Sequence, residues 1–89
     1  MKITNIYMSQ RKLRNPEQLS SMMEADCLPP IVLAEFEDGT IQLEDGHHRC
    51  VAYWLMGRTE LEKGEYILIQ KDSNFRPRFG KIYDLLKRI

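Results

Sequence analysis

The sequence has no apolar run long enough to cross a bilayer, so nothing in it reads as a transmembrane helix. It also lacks the charged-then-apolar pattern of a secretory leader, and the expected address is the cytoplasm. Cysteine is scarce. Cys27 and Cys50 are neither at metal-ligand spacing nor part of a framework dense enough to staple a small secreted fold, which leaves reduced thiols as the expectation. Cys27 precedes Leu28-Pro29-Pro30 as a small loop or buried residue, and Cys50 falls on the apolar side of a helix, so neither reads as a nucleophile. No repeat or low-complexity tract is present, and neither charge sign is in excess, with 13 Lys/Arg against 13 Asp/Glu. A chain of 89 residues supports one domain, 1–89, with a single core and a shallow ligand site.

The balanced charge is unevenly spread. Residues 1–70 hold 7 Lys/Arg and 11 Asp/Glu, whereas residues 71–89 hold 6 and 2. The basic tail, with Arg76, Arg78, Lys81, Lys87 and Arg88, reads either as a solvated face or as a contact for a phosphate backbone such as that of DNA, without sequence readout.

Along the chain, Lys2-Ile3-Thr4-Asn5-Ile6-Tyr7 has the β-branched and aromatic content of a short strand. A polar loop comes next, with Arg11, Lys12 and Arg14 either solvated or able to fold over an anion. Asn15-Pro16-Glu17-Gln18 is a helix start, with an Asn cap, Pro at the first position and Gln able to bond back to the cap. That helix is expected to reach about Ala25, with Leu19, Met22 and Met23 on its core face. Leu28-Pro29-Pro30 stops it and leads into Ile31 to Phe36, an apolar run that suggests a strand buried on both faces. Glu37-Asp38-Gly39 is a turn, and the alternation in Thr40-Ile41-Gln42-Leu43 completes a hairpin. After a loop through Glu60 to Glu65, Tyr66-Ile67-Leu68-Ile69 is expected inside the sheet. Lys81 to Ile89 is an amphipathic helix packing through Ile82, Leu85, Leu86 and Ile89. The expected class is α/β (α+β), a small mixed sheet with three helices.

Between hairpin and loop lies Glu44-Asp45-Gly46-His47-His48-Arg49, which opens a helix whose apolar stripe is Cys50, Val51, Trp54 and Leu55 and whose closing glycine is Gly57. A helix start presents unpaired N–H groups and partial positive charge, so cations there are unfavourable by roughly 0.3–1 kcal/mol each unless an anion relieves them. Four readings stay open. Arg49 and a histidine hold a phosphate together with the helix N–H groups. Asp45, His47 and His48 bind a metal, although adjacent helical side chains diverge by about 100°. His48 acts as a general acid or base. Or the segment is simply a capped helix with a hydrogen-bonded His and a surface Arg.

The segment from Leu28 to Gly57 resembles the ParB/sulfiredoxin superfamily. ParB-like domains place an Arg-containing loop, a helix, a Pro-Ile-Val strand, a hairpin and a Gly-x-x-Arg-x-x-Ala helix in order. Here these appear as Gln10-Arg11, Glu17 to Ala25, Pro30-Ile31-Val32, Asp38-Gly39 and Gly46-His47-His48-Arg49-Cys50-Val51-Ala52, so the likeness spans about residues 1–70. The sulfiredoxin branch has Gly-Cys-His-Arg and then Ala-Tyr, matched by Gly46-His47-His48-Arg49 and Ala52-Tyr53, but with His47 at the reactive cysteine's position.

The resemblance implies a nucleotide-phosphate seat at Gly46, His47, His48 and Arg49, closed by Arg11 or Arg14, and argues against sulfinic-acid reductase activity. Its members include CTP-using partition proteins, ATP-using enzymes such as an amino-acid kinase, and domains described as nucleases. In a kinase-like role Asp45 or Glu44 would orient a hydroxyl or Mg²⁺ and Arg49 would stabilise phosphoryl charge; with the acid–base reading of His48 from the residues themselves, Asp45 and His48 are the candidate catalytic groups. About 19 residues lie beyond the last expected strand, so autonomous site-specific DNA binding is not expected. The expectations are therefore an ATP- or CTP-binding domain with Mg²⁺, and, as alternatives, a DNA-contacting module with nuclease activity or a domain that serves a protein partner or a homodimer.

Overall fold

A computed structural model describes residues 1–10, 17–25, 27–76 and 79–87. Pro29 and Pro30 cannot continue a helix, and the chain leaves them extended into β2, Ile31–Glu35. Asp38 and Gly39 then reverse it. The Asp38 carboxylate accepts the Thr40 N–H at 3.0 Å, Phe36 N–H donates to the Thr40 carbonyl at 2.9 Å, and Gly39 takes φ 85°, which suits glycine alone. The return strand is β3, Ile41–Asp45. The Thr40 N–H, and then its hydroxyl, hold the Asp38 carboxyl below its ordinary range.

Two parallel strands flank this hairpin. β1, Ile6–Tyr7, pairs with β3, and β4, Tyr66–Gln70, pairs with β2, giving the order β1-β3-β2-β4. Register sorts the side chains. Ile6, Ile41, Leu43, Ile31 and Leu33 share one face and are buried, because α1 (Gln18–Glu24), α2 (His47–Leu55) and α3 (Ile82–Leu86) belong to a single core with them. A four-stranded mixed sheet with three helices is the α+β class that the residue pattern led one to expect. Among the described residues no helix is long and apolar enough to cross a membrane.

α2 ends where Gly57 stands. At φ 88° its N–H reaches the Trp54 carbonyl at 2.9 Å, while Arg58 N–H reaches the Tyr53 carbonyl at 3.0 Å, the paired closure of a Schellman motif. Arg58 then grips Glu65 through two bonds of 2.6 and 3.0 Å, tying the helix end to the start of β4. That bond draws the Glu65 carboxyl below its ordinary range and lifts the Arg58 guanidinium above its own.

Several expectations from the sequence are corrected. Residues 3–5 form a 3-10 turn, and the first strand is only Ile6–Tyr7, since the bond from Ile6 N–H to the Ile3 carbonyl captures the β-branched residues first. The buried side of α2 is Cys50, Val51, Ala52 and Tyr53, whereas Trp54 is half-buried and Leu55 exposed. Met23 is exposed, and α1 packs only partly, through Leu19 and Met22. The largest departure is β4. Placed outermost, it leaves Ile67, Leu68 and Ile69 at 52%, 37% and 42% exposed rather than inside the sheet. The Asn15-Pro16 helix start and Ile89 lie outside the described residues.

Truncating Leu33, which is fully buried, is expected to destabilise the protein by about 2–5 kcal/mol in a denaturant titration. Leu55→Ala, on the exposed side of α2, is expected to stay within about 0.5 kcal/mol of the parent, whereas Val51→Ala on its buried side should cost more, and these two variants check the observed helix phase.

Candidate functional site

At the end of β3 the ladder slips: Leu33 pairs with Leu43, but Val32 pairs with Asp45, leaving Glu44 as an extra residue. Such a bulge re-aims the side chains beyond it. Regular alternation would turn Asp45 toward the core with Ile41 and Leu43. The slip aligns it with Val32 instead, and its side chain is 72% exposed.

Gly46 then turns the chain into α2 with φ 101°. A Cβ there would lie 3.1 Å from Ile31 Cγ1 and 3.2 Å from Arg49 Nε, so both the backbone conformation and the close packing require glycine. Because Gly46 brings no side chain, nothing from the N-cap position bonds the first turn of α2, whose opening N–H groups have no acceptor within the helix by geometry.

The Arg49 guanidinium lies over this turn. Nη1 donates to the Pro29 and Pro30 carbonyls at 3.1 and 2.8 Å, and Nη2 to Asp45 Oδ2 at 3.0 Å. It therefore joins the approach to β2, the end of β3 and the start of α2. With its side chain 15% exposed, Arg49 is chiefly a strut whose charge remains beside the turn.

His47 points inward and is 5% exposed. Its Nε2 accepts the Ser9 N–H at 3.2 Å, so the neutral ring carries its proton on Nδ1. Ser9 Oγ donates in turn to the Leu43 carbonyl at 2.5 Å, fastening the segment after β1 to β3. Burial, with His48 adding to it and Asp45 partly opposing it, pushes the His47 pKa down to about 4. Neutral His47 removes one cation from the positive end of the helix dipole, and the Arg49 contacts compensate another.

Around these groups lies a polar cavity of about 250 Å³, lined by Gln10, Gln18, Met22 and the run Glu44 to Arg49. The structure thus brings together Asp45, Gly46, His47, His48 and Arg49, with Glu44 beside them. Arg11 and Arg14, expected to close the site, lie outside the described residues, as do Arg78 and Arg88. The remaining tail cations are dispersed. Arg76 lines a separate cavity of about 530 Å³ with Phe36, Gln42, Phe75 and Phe79; Lys81 stands 5.6 Å over the Tyr7 ring; Lys87 stands 4.8 Å over Tyr83 and 3.8 Å from Asp84. Among the described residues no three His, Cys, Asp or Glu side chains cluster as a metal site.

Sequence reasoning placed Ser9 and Gln10 in a loop able to fold over an anion and Gln18 at a helix start, but missed the bond from Ser9 to His47 and the place of Gln18 on the cavity wall. The available signal was the parallel placement of β1 beside β3, which delivers the residues after Tyr7 to the end of β3, but a two-residue strand carries too little pattern to reveal its pairing. Cys50 is buried, and burial pushes its thiol up to about 12, removing it as a nucleophile at neutral pH.

The His47 shift sets a pH dependence. A pKa of about 4 in the folded protein, against about 6.5 unfolded, means that the unfolded chain takes up the proton first. The stability that His47 contributes is complete above about pH 6.5 and is lost as the pH falls toward 4. Thermal melts are expected to show a falling melting temperature across that window and a flatter dependence in His47→Gln, which keeps an acceptor for Ser9 N–H without titrating there. No family model, curated protein or solved structure matches the chain.

Proposed function

We propose that the cavity at the opening of α2 binds the phosphates of a nucleoside triphosphate, ATP or CTP, together with Mg²⁺, in a cytoplasmic domain of the ParB/sulfiredoxin type. The observation that carries this reading is the first turn of α2. Gly46 starts the helix at φ 101° without a capping side chain, beside a polar cavity and a restrained Arg49. Backbone N–H groups converging at a helix start suit an anion with several oxygens.

The carboxylates define the ligand more closely. Glu44 and Asp45 line the same cavity and would repel a bare phosphate, whereas a Mg²⁺-bound triphosphate brings a cation to meet them. Asp45, turned outward by the bulge, holds Arg49 through Oδ2, and His48 lines the same cavity. Phosphoryl transfer or nucleotide hydrolysis would draw on Asp45 and His48 as the catalytic pair. At this site thiol chemistry is disfavoured by the burial of Cys50 and by His47 at the position where the resembling branch carries its cysteine, and the exposed Cys27 does not line the cavity. The DNA-contact reading has weaker support, because Lys81 is engaged with Tyr7 and Lys87 with Tyr83 and Asp84.

Calorimetric titration with ATP and CTP, each with and without Mg²⁺, tests the proposal. Heat from one of the Mg²⁺-nucleotides is expected, with binding weakened by about tenfold or more when Mg²⁺ is omitted and by several-fold in His48→Ala. A folded protein that gives no heat with either Mg²⁺-nucleotide contradicts it.

A further inference from the structure

The sheet is covered unequally. On the face away from the helices, Phe75 lies 4.7 Å from the Tyr7 ring and 5.2 Å from Phe36, closing the β1 side. On the β4 side the same face carries Ile67 and Ile69, whose register partners are Val32 and Ala34, and both isoleucines are exposed. Among the described residues no strand pairs with the outer edge of β4. An exposed edge with apolar side chains and no charge among Tyr66 to Gln70 is what most proteins avoid, since it is a template for another strand.

The backbone identifies which groups are presented. Ile31 N–H donates to the Glu65 carbonyl at 2.9 Å and Lys71 N–H donates to the Glu35 carbonyl at 2.8 Å. Residues 65 and 71 therefore face β2, and by the two-residue period of a strand so do Ile67 and Ile69. Tyr66, Leu68 and Gln70 consequently direct their N–H and C=O groups outward. An antiparallel partner must place its own outward-facing residues opposite these, which removes every register that is off by one.

We propose that two copies of this chain pair through β4, antiparallel about a twofold axis at Leu68, to form a continuous sheet. That register sets Leu68 against the partner's Leu68 and Tyr66 against the partner's Gln70, and all three outward residues of each strand join about six new hydrogen bonds. It also sets Ile67 against the partner's Ile69 on the face that is bare in a single copy, a β-branched pair of the kind that stabilises sheets. Just beyond the strand ends, Glu65 falls opposite the partner's Lys71, and the symmetry repeats this opposite-charge pair at the other end. A shift of two residues one way would set Lys63 against the partner's Lys71. The opposite shift gives Glu65 and Lys71 no charged residue opposite them on the partner strand, although Glu65 keeps Arg58 within its own chain. Charge and hydrogen-bond pattern thus select the same register, and the occupant they describe is a second copy of β4. The proposal does not depend on the nucleotide reading.

Light scattering after size exclusion, over about two decades of protein concentration, tests this with the full chain. The mass is expected to rise from one chain to two. Lys71→Glu, which sets like charges together at both ends, should weaken dimerisation about tenfold, and mixing it with Glu65→Lys should restore a heterodimer, because both end pairs are then attractive. Since Glu65 also holds Arg58, a second arm keeps the test independent of that variant's folding. In a Cys27→Ser background, Leu68→Cys should form a cross-linked dimer under mild oxidation, at a Cα separation of about 5.5 Å, whereas Lys63→Cys should not. A mass of one chain at every concentration without a Leu68→Cys cross-link overturns the proposal. So does a dimer that neither Lys71→Glu nor Ile69→Lys weakens.

Discussion

The structure depends on one close contact, that of the Arg49 side chain over Gly46. The guanidinium can reach the Pro29 and Pro30 carbonyls and Asp45 only because no Cβ stands at residue 46, and Gly46 can hold φ 101° only because it lacks that carbon. Three separate pieces of chain, the proline approach to β2, the end of β3 and the start of α2, are thereby held together. Asp45 and Arg49 are an exposed and a mostly covered partner, so their ion pair alone contributes little, about 0.3–0.5 kcal/mol. The carbonyl bonds and the packing on Ile31 make the contact structural.

That arrangement resolves a conflict visible in the chain. Two histidines and an arginine in a first helical turn oppose the helix dipole. Burial keeps His47 neutral, and Arg49 is surrounded by two carbonyls and a carboxylate. The first turn of α2 then borders a cavity that also holds two carboxylates, and the proposed Mg²⁺-bound triphosphate is the ligand that would answer both.

The elements marked by local chemistry were legible in the sequence. Pro29-Pro30 announced β2, Asp38-Gly39 the hairpin, Gly46 the opening of α2 and Gly57 its close, because each needs a backbone conformation that few residues supply. Elements marked only by hydrophobicity were less so. Tyr66 to Ile69 reads as an interior strand, but an apolar run records that a strand forms and not whether neighbours lie on both sides. In α2 the period alone put Leu55 in the core and overlooked Tyr53, which the Schellman turn and the Arg58 cation stacked 5.4 Å over its ring help cover. Within the site, the run from Asp45 to Arg49 was found from its residue types. The role of Ser9 was not, since it arises from the parallel pairing of β1 with β3.

If the opening turn of α2 receives nucleotide phosphate, its own N–H groups must sense the ligand. Amide chemical shifts recorded by ¹H–¹⁵N NMR during titration with Mg²⁺-ATP and Mg²⁺-CTP test this most directly, because they report on those groups themselves. The largest saturable shifts are expected on the amides of Gly46, His47, His48 and Arg49. Shifts centred on Phe36, Asn74 and Phe75, or no saturable shift in a folded protein, would contradict it.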